Sequence, residues 1–168
     1  MSTPSPFSYV AAQDPLFGVV DVELDHEGGT LVVDGEGIAR AEVRRAAGTA
    51  VESHVPIGTR DPERLSMTVG GAEVPLRPAK GFLTRKSYRV DVGAYRLVPD
   101  SLDGSRLLRD GALLGVFSSS GDGRVSVEWK GEPGADDAAF GYALAAAFGT
   151  GAEPMWKLTL DALLELWP

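Results

Sequence analysis

The chain of 168 residues has no cysteine and only two histidines, His26 and His54. Without a thiol there is no disulfide, no zinc-thiolate site, no iron–sulfur cluster and no cysteine nucleophile. Two histidines far apart in sequence, neither with a second histidine three or four residues on, do not make a histidine metal cage. Residues 1–37 also lack Lys and Arg, while carrying Asp14, Asp21, Glu23, Asp25, Glu27, Asp34 and Glu36. Long apolar runs are missing as well. The longest, Ala138–Phe148, has 11 residues, against the roughly 20 that a membrane-spanning helix requires. The N-terminal MSTPSPFSYV has no basic residue and no long apolar run, so no secretory leader is expected and the cytoplasm is the expected compartment.

The usual motifs of nucleotide and acyl chemistry are absent too. No GxxxxGK[ST] loop occurs, and the pairs Gly121/Gly123 and Gly149/Gly151 lack the third glycine of a dinucleotide loop. Ser118-Ser119-Ser120-Gly121 is not a nucleophile elbow, because Phe117 stands where the first glycine of GxSxG belongs. No cofactor and no metal site is expected. An Asp/Glu-only cation site around Asp21–Glu36 is the weaker reading, since acids alternating along a strand project about 7 Å apart instead of converging.

What remains is enough for one folded domain. Residues 1–6, rich in Ser, Thr and Pro, read as a flexible tail, and 7–168 as a single β-rich domain in which roughly two-thirds of the chain's surface becomes buried. Val20, Val22 and Leu24 alternate with Asp21, Glu23 and Asp25, which is the period of a half-buried strand. Glu27-Gly28-Gly29 then turns the chain into Thr30–Val33. Residues 38–47 fit strand or helix, with strand preferred in β-rich surroundings. Leu65–Val69 and Glu73–Leu76 flank Gly70-Gly71, and Pro75 makes the second of these an edge strand or ends it early. Ser87–Val92 and Ala94–Val98 meet at Gly93, read as a bulge or bend. Asp110-Gly111 inside RLLRDGALLGVF is the strongest hairpin signal, and RVSVEW alternates once more. Tyr9 to Phe17 are read only as an anchor for the tail.

The period changes at Asp136-Asp137, which precede AAFGYALAAAF and a terminating Gly149. Acids at the start and glycine at the end suit helix polarity, and a helix with no polar face is a buried one. Residues 154–167 place Trp156, Leu160, Leu163, Leu164 and Trp167 at helical spacing and suggest a second helix, with a final strand over Met155–Leu160 as the alternative. The expected fold is therefore α+β and β-rich, an antiparallel barrel or strongly curved sheet packed around helix 136–149.

In order, Tyr88–Val98, SRLLRDGALLGVF, RVSVEW and DDAAFGYALAAAFG resemble the tubby C-terminal-like group, which includes LURP-one-related and scramblase-type domains. The resemblance covers residues 87–149 and is one of pattern. It implies a β-barrel around a hydrophobic helix and binding of lipid headgroups or proteins, with no catalytic set to transfer. Residues 150–168 continue past the point where the pattern ends.

Charge distribution supplies the leading functional expectation. The net charge is −8, which disfavours nucleic acid as a partner. Within it, residues 77–96 carry Arg77, Lys80, Arg85, Lys86, Arg89 and Arg96 against only Asp91. Cations flanking the apolar pair Phe82-Leu83 suit phosphate, a lipid headgroup or an acidic protein surface. The plain alternative is that these cations pair internally with the acidic residues 1–37. A second expectation is a small-ligand or enzymatic pocket inside the sheet, with His54, Tyr88, Tyr95 and Tyr142 as its polar residues. A third is a structural role in a homo-oligomer or hetero-oligomer, contacting through Trp156, Leu163, Leu164 and Trp167.

Overall fold

A computed structural model describes residues 7–79, 88–101 and 103–151. The first half is a meander of β1 (Phe7–Asp14), β2 (Gly18–Asp25), β3 (Thr30–Asp34), β4 (Ala41–Arg45), β5 (Leu65–Val69) and β6 (Ala72–Val74). The second is a meander of β7 (Leu76–Pro78), β8 (Val90–Val92), β9 (Tyr95–Pro99), β10 (Gly104–Arg109), β11 (Ala112–Ser119) and β12 (Val125–Trp129). Each half forms its own six-stranded antiparallel sheet in which chain neighbours pair. The two halves of the chain are thus two sheets of the same topology. One helix, α1 (Ala135–Phe148), follows them.

Alternation decides which face of each strand is buried. Val20, Val22 and Leu24 of β2 are buried, as are Leu31 and Val33 of β3 and Ala41 and Val43 of β4. Residues 38–47 therefore contribute a strand. Asp110 (φ +50°) and Gly111 (φ +83°) turn β10 into β11, with Arg109 opposite Ala112, as a two-residue turn with both central residues at positive φ requires. Gly93 is not a bulge. It lies in the two-residue turn between Val92 and Tyr95, which pair directly. The sheet's irregularity falls instead between Leu107 and Leu108. Pro75 sits where the chain leaves the first sheet for the second, a position at which the missing N–H costs no ladder bond.

Helix α1 fills the space between the sheets. Asp137 through Phe148 are all buried. Asp137 accepts the Gly134 N–H at 2.7 Å at one end, and Gly149 (φ +77°) closes the other by donating to Ala145 O at 2.9 Å. Gly141 lies under the Phe117 ring, which in turn meets Trp129 and Tyr142 edge to face at 5.3 and 5.8 Å.

Two expectations need correction. Strand pairing makes two sheets and does not close them into one barrel. Pro75 interrupts the ladder on one side. On the other, β1 and β12 are joined by side chains, with Trp129 Nε1 donating to Asp14 at 2.9 Å. The stretch from Tyr9 on, read as an anchor for the tail, belongs to a full strand, Phe7–Asp14, paired to β2 over eight positions. The second helix expected over 154–167 lies outside the described residues. Among the described residues no helix is long and apolar enough to cross a membrane.

Candidate functional site

Three of the six expected cations are placed. Arg77 stands on β7 opposite Asp91 of β8, and Asp91 stands opposite Arg96 of β9. Directly opposed residues share a face, so Arg77, Asp91 and Arg96 form one outward row across the edge of the second sheet. Arg96 Nε lies 2.7 Å from Asp91 Oδ1, and Arg89 Nε lies 3.2 Å from Asp91 Oδ2. One carboxylate thus faces three arginines. These ion pairs run within the second sheet and not to the acidic residues 7–37, which have partners of their own: Asp21 accepts Tyr9 and Asp34 accepts Arg40. Lys80, Arg85 and Lys86, with Phe82 and Leu83, lie outside the described residues.

The asymmetry extends to the whole molecule. Residues 7–75, the first sheet, hold twelve acids and five arginines, a net −7. In sequence, residues 76–134 hold ten cations and seven acids, a net +3 that comes from Lys80, Arg85 and Lys86, which lie outside the described residues.

At the neck of the basic segment sits a residue that sequence reasoning missed. Arg60 ends the buried run Val55–Thr59 and is itself only 7% exposed. Its Nε donates to Ala79 O and its Nη2 to Arg89 O, both at 3.0 Å, while Ala79 N donates to Arg89 O at 2.8 Å. The guanidinium stacks 3.9 Å above the Tyr88 ring, with Phe148 at 5.4 Å. Arg60 Nη1 and the Tyr88 hydroxyl have no hydrogen-bond partner. Burial pushes the guanidinium pKa down and the phenol pKa up. The only trace in sequence is one arginine closing an apolar stretch.

The four residues named for an internal pocket occupy separate settings. Tyr142 donates to buried Asp14 at 2.6 Å, and Tyr95 donates to buried Asp137 at 2.5 Å. Burial and these carboxylates raise both phenol pKa values. Tyr88 lies beneath Arg60. His54 is exposed, in a surface cleft of about 360 Å³ that also takes in His26, Ser53, Ser8, Ser120 and Asp122. His26 Nδ1 is 2.8 Å from Pro56 O, and the hydrogen bond from the Ser120 hydroxyl holds the Asp122 carboxyl below its usual range. The two histidines are 28 positions apart, so only the fold brings them to one cleft. Among the described residues no three His, Asp or Glu side chains are grouped to hold a metal ion. Trp156, Leu163, Leu164 and Trp167, the expected oligomer contacts, lie outside the described residues.

No protein-family model, no curated protein and no solved structure matches this chain.

Proposed function

We propose that this protein is a non-enzymatic binding domain that docks on an anionic, phosphate-bearing surface through the outer face of β7–β9 and the segment joining β7 to β8. The row Arg77–Asp91–Arg96 carries the reading, because it sets two exposed arginines either side of a single carboxylate at a sheet edge. Arginine presents a planar fork that matches phosphate oxygens in pairs. In sequence the joining segment adds Lys80, Arg85 and Lys86 around Phe82-Leu83, a composition suited to the interface of an anionic membrane. The net negative charge of the first sheet would orient the molecule by turning that sheet away from an anionic surface. The resemblance to the tubby C-terminal-like group carries the same expectation. Buried Asp14 and Asp137 are engaged by Tyr142 and by half-buried Tyr95 respectively, which points recognition to the surface.

Co-sedimentation with lipid vesicles tests this. Binding is expected on vesicles containing anionic lipid, not on zwitterionic ones, and should fall as salt screens the charges. Arg77→Gln with Arg96→Gln should weaken it by about 2 kcal/mol, some thirtyfold, at roughly 1 kcal/mol per cation. Equal binding to both vesicle types, or an unchanged affinity in the double variant, would refute the reading.

A further inference from the structure

Six polar side chains gather in the surface cleft of about 360 Å³ that holds both histidines. Ser8 comes from β1 and His26 from the β2–β3 turn. Ser53 and His54 come from the loop after β4, and Ser120 and Asp122 from the β11–β12 turn. The cleft therefore draws on both sheets and uses nothing of β7–β9. Its size falls within the roughly 300–1,000 Å³ of small-ligand sites. Its walls are held from behind. Arg45 Nη1 donates to His26 O and to Ile57 O, both at 2.8 Å, which ties the turn to the loop. The Thr150 hydroxyl accepts the Ser119 N–H at 2.7 Å, which fixes the end of β11.

The lining decides the ligand class. No Lys or Arg lines the cleft, and the Ser120 hydrogen bond keeps Asp122 ionised, so an anion meets repulsion. No three His, Asp or Glu side chains among the described residues are grouped for a metal ion. Only Leu24 and Pro56 are apolar, too little for a hydrocarbon ligand. What the cleft offers is hydrogen bonding in both senses. Asp122 accepts only. His26 Nδ1 lies 2.8 Å from the Pro56 carbonyl, which can only accept, so Nδ1 carries the proton and Nε2 of the neutral ring accepts. The serines donate and accept. Among them the Ser8 hydroxyl is buried in the cleft wall and has no partner. A buried polar group left unpaired is the exception in folded proteins and marks a place where a partner belongs. A serine hydroxyl turns by one rotamer step to meet one.

We infer that this cleft binds a neutral sugar of monosaccharide size. Each hydroxyl of a sugar ring both donates and accepts, which matches a wall of carboxylate, imidazole and serine. Neighbouring ring hydroxyls donate to Asp122, others exchange hydrogen bonds with the histidines and serines, and the C–H face of the ring rests on Pro56 and Leu24.

The chain has two histidines and both lie in the cleft, so their ring C–H signals in NMR report on this site alone. The 168-residue chain is titrated with D-glucose, D-galactose, D-mannose and D-ribose to about 50 mM, well past millimolar affinity, with glycerol and inorganic phosphate as controls. A saturable shift of the histidine signals with at least one of the four sugars is expected. Affinity should be about tenfold weaker in Asp122→Asn and in His54→Ala. Asp122→Asn keeps an oxygen for the Arg124 N–H, and His54 is exposed, so both variants spare the fold. Ser8→Ala separates binding from stability: loss of an unpaired buried hydroxyl should leave Tm unchanged or higher while sugar affinity falls. The inference is overturned if none of the four sugars gives a saturable shift, or if phosphate or glycerol gives the same one. It is equally overturned if Asp122→Asn and His54→Ala both bind as the wild type does. Arg77→Gln/Arg96→Gln, which tests the β7–β9 face, lies outside the cleft and should bind sugar normally, so the two proposals fail separately.

Discussion

A methyl group on Gly141 would meet the Phe117 ring at 2.2 Å. Alanine is the better helix former by about 1 kcal/mol, but overpacking a dense core costs about 1–3 kcal/mol, and a contact this close falls toward the upper end. Gly141→Ala should therefore destabilise the protein by about 1–2 kcal/mol in a denaturant titration. A more stable variant would show that the Phe117 ring gives way. The sequence marks Gly141 as one of several small residues that let other chain segments approach the helix, but not which residue does so. Asp14 is the harder case. It reads as one more acid in an acidic stretch, yet it is 2% exposed and accepts from Tyr142, Trp129 and the backbone N–H groups of Leu16 and Phe17. Its two side-chain donors are 128 and 115 positions away, and no local pattern records that.

Among the elements, helix α1 is the most legible, because every cue agrees: acids first, apolar residues all round, glycine last. Burial on all sides makes it intolerant of charge. Ala145 is fully buried, so Ala145→Asp should cost roughly 2–7 kcal/mol even if the carboxyl is taken up protonated. Near-wild-type unfolding would mean the helix is open to water at that turn. The hairpins at Asp110-Gly111 and Gly70-Gly71 are legible because positive φ demands particular residues. Strand β1 is not. Ser8, Ala11, Ala12 and Gln13 give little contrast between faces, and its inner positions Ser8, Val10 and Ala12 are only half-buried. Its pairing with β2 comes from register, not from its own alternation.

At the scale of the molecule, two sheets are tied to one helix by a few polar locks. Tyr142 of the helix bonds Asp14 at the end of β1, and Tyr95 of β9 and Arg109 of β10 bond Asp137 of the helix at 2.5 and 2.7 Å. In both locks the phenol must keep its proton. Burial and the adjoining carboxylates raise the folded pKa of Tyr95 and Tyr142 above the usual value, so their contribution is fully present below the unfolded pKa of about 10 and is lost as pH rises beyond it. Stability should decline from about pH 10 upward, and Tyr142→Phe should be less stable at neutral pH but less sensitive to alkali. Denaturant midpoints across that pH range, read beside tyrosinate absorbance, provide the check. A flat profile would mean the locks open without cost.

The sequence by itself determined the local grammar of this protein: which stretches alternate, where the turns must fall, that one helix is buried, and that cationic residues cluster at 77–96 within an acidic chain. Those properties depend on neighbours a few positions apart, through period, backbone conformation and charge. Only the tertiary structure decided that the strands make two sheets instead of one closed barrel, that His26 and His54 share a cleft, and that Asp14 and Arg60 are interior. Such outcomes depend on residues dozens of positions apart being buried together, where removal from water and the need for partners set the chemistry.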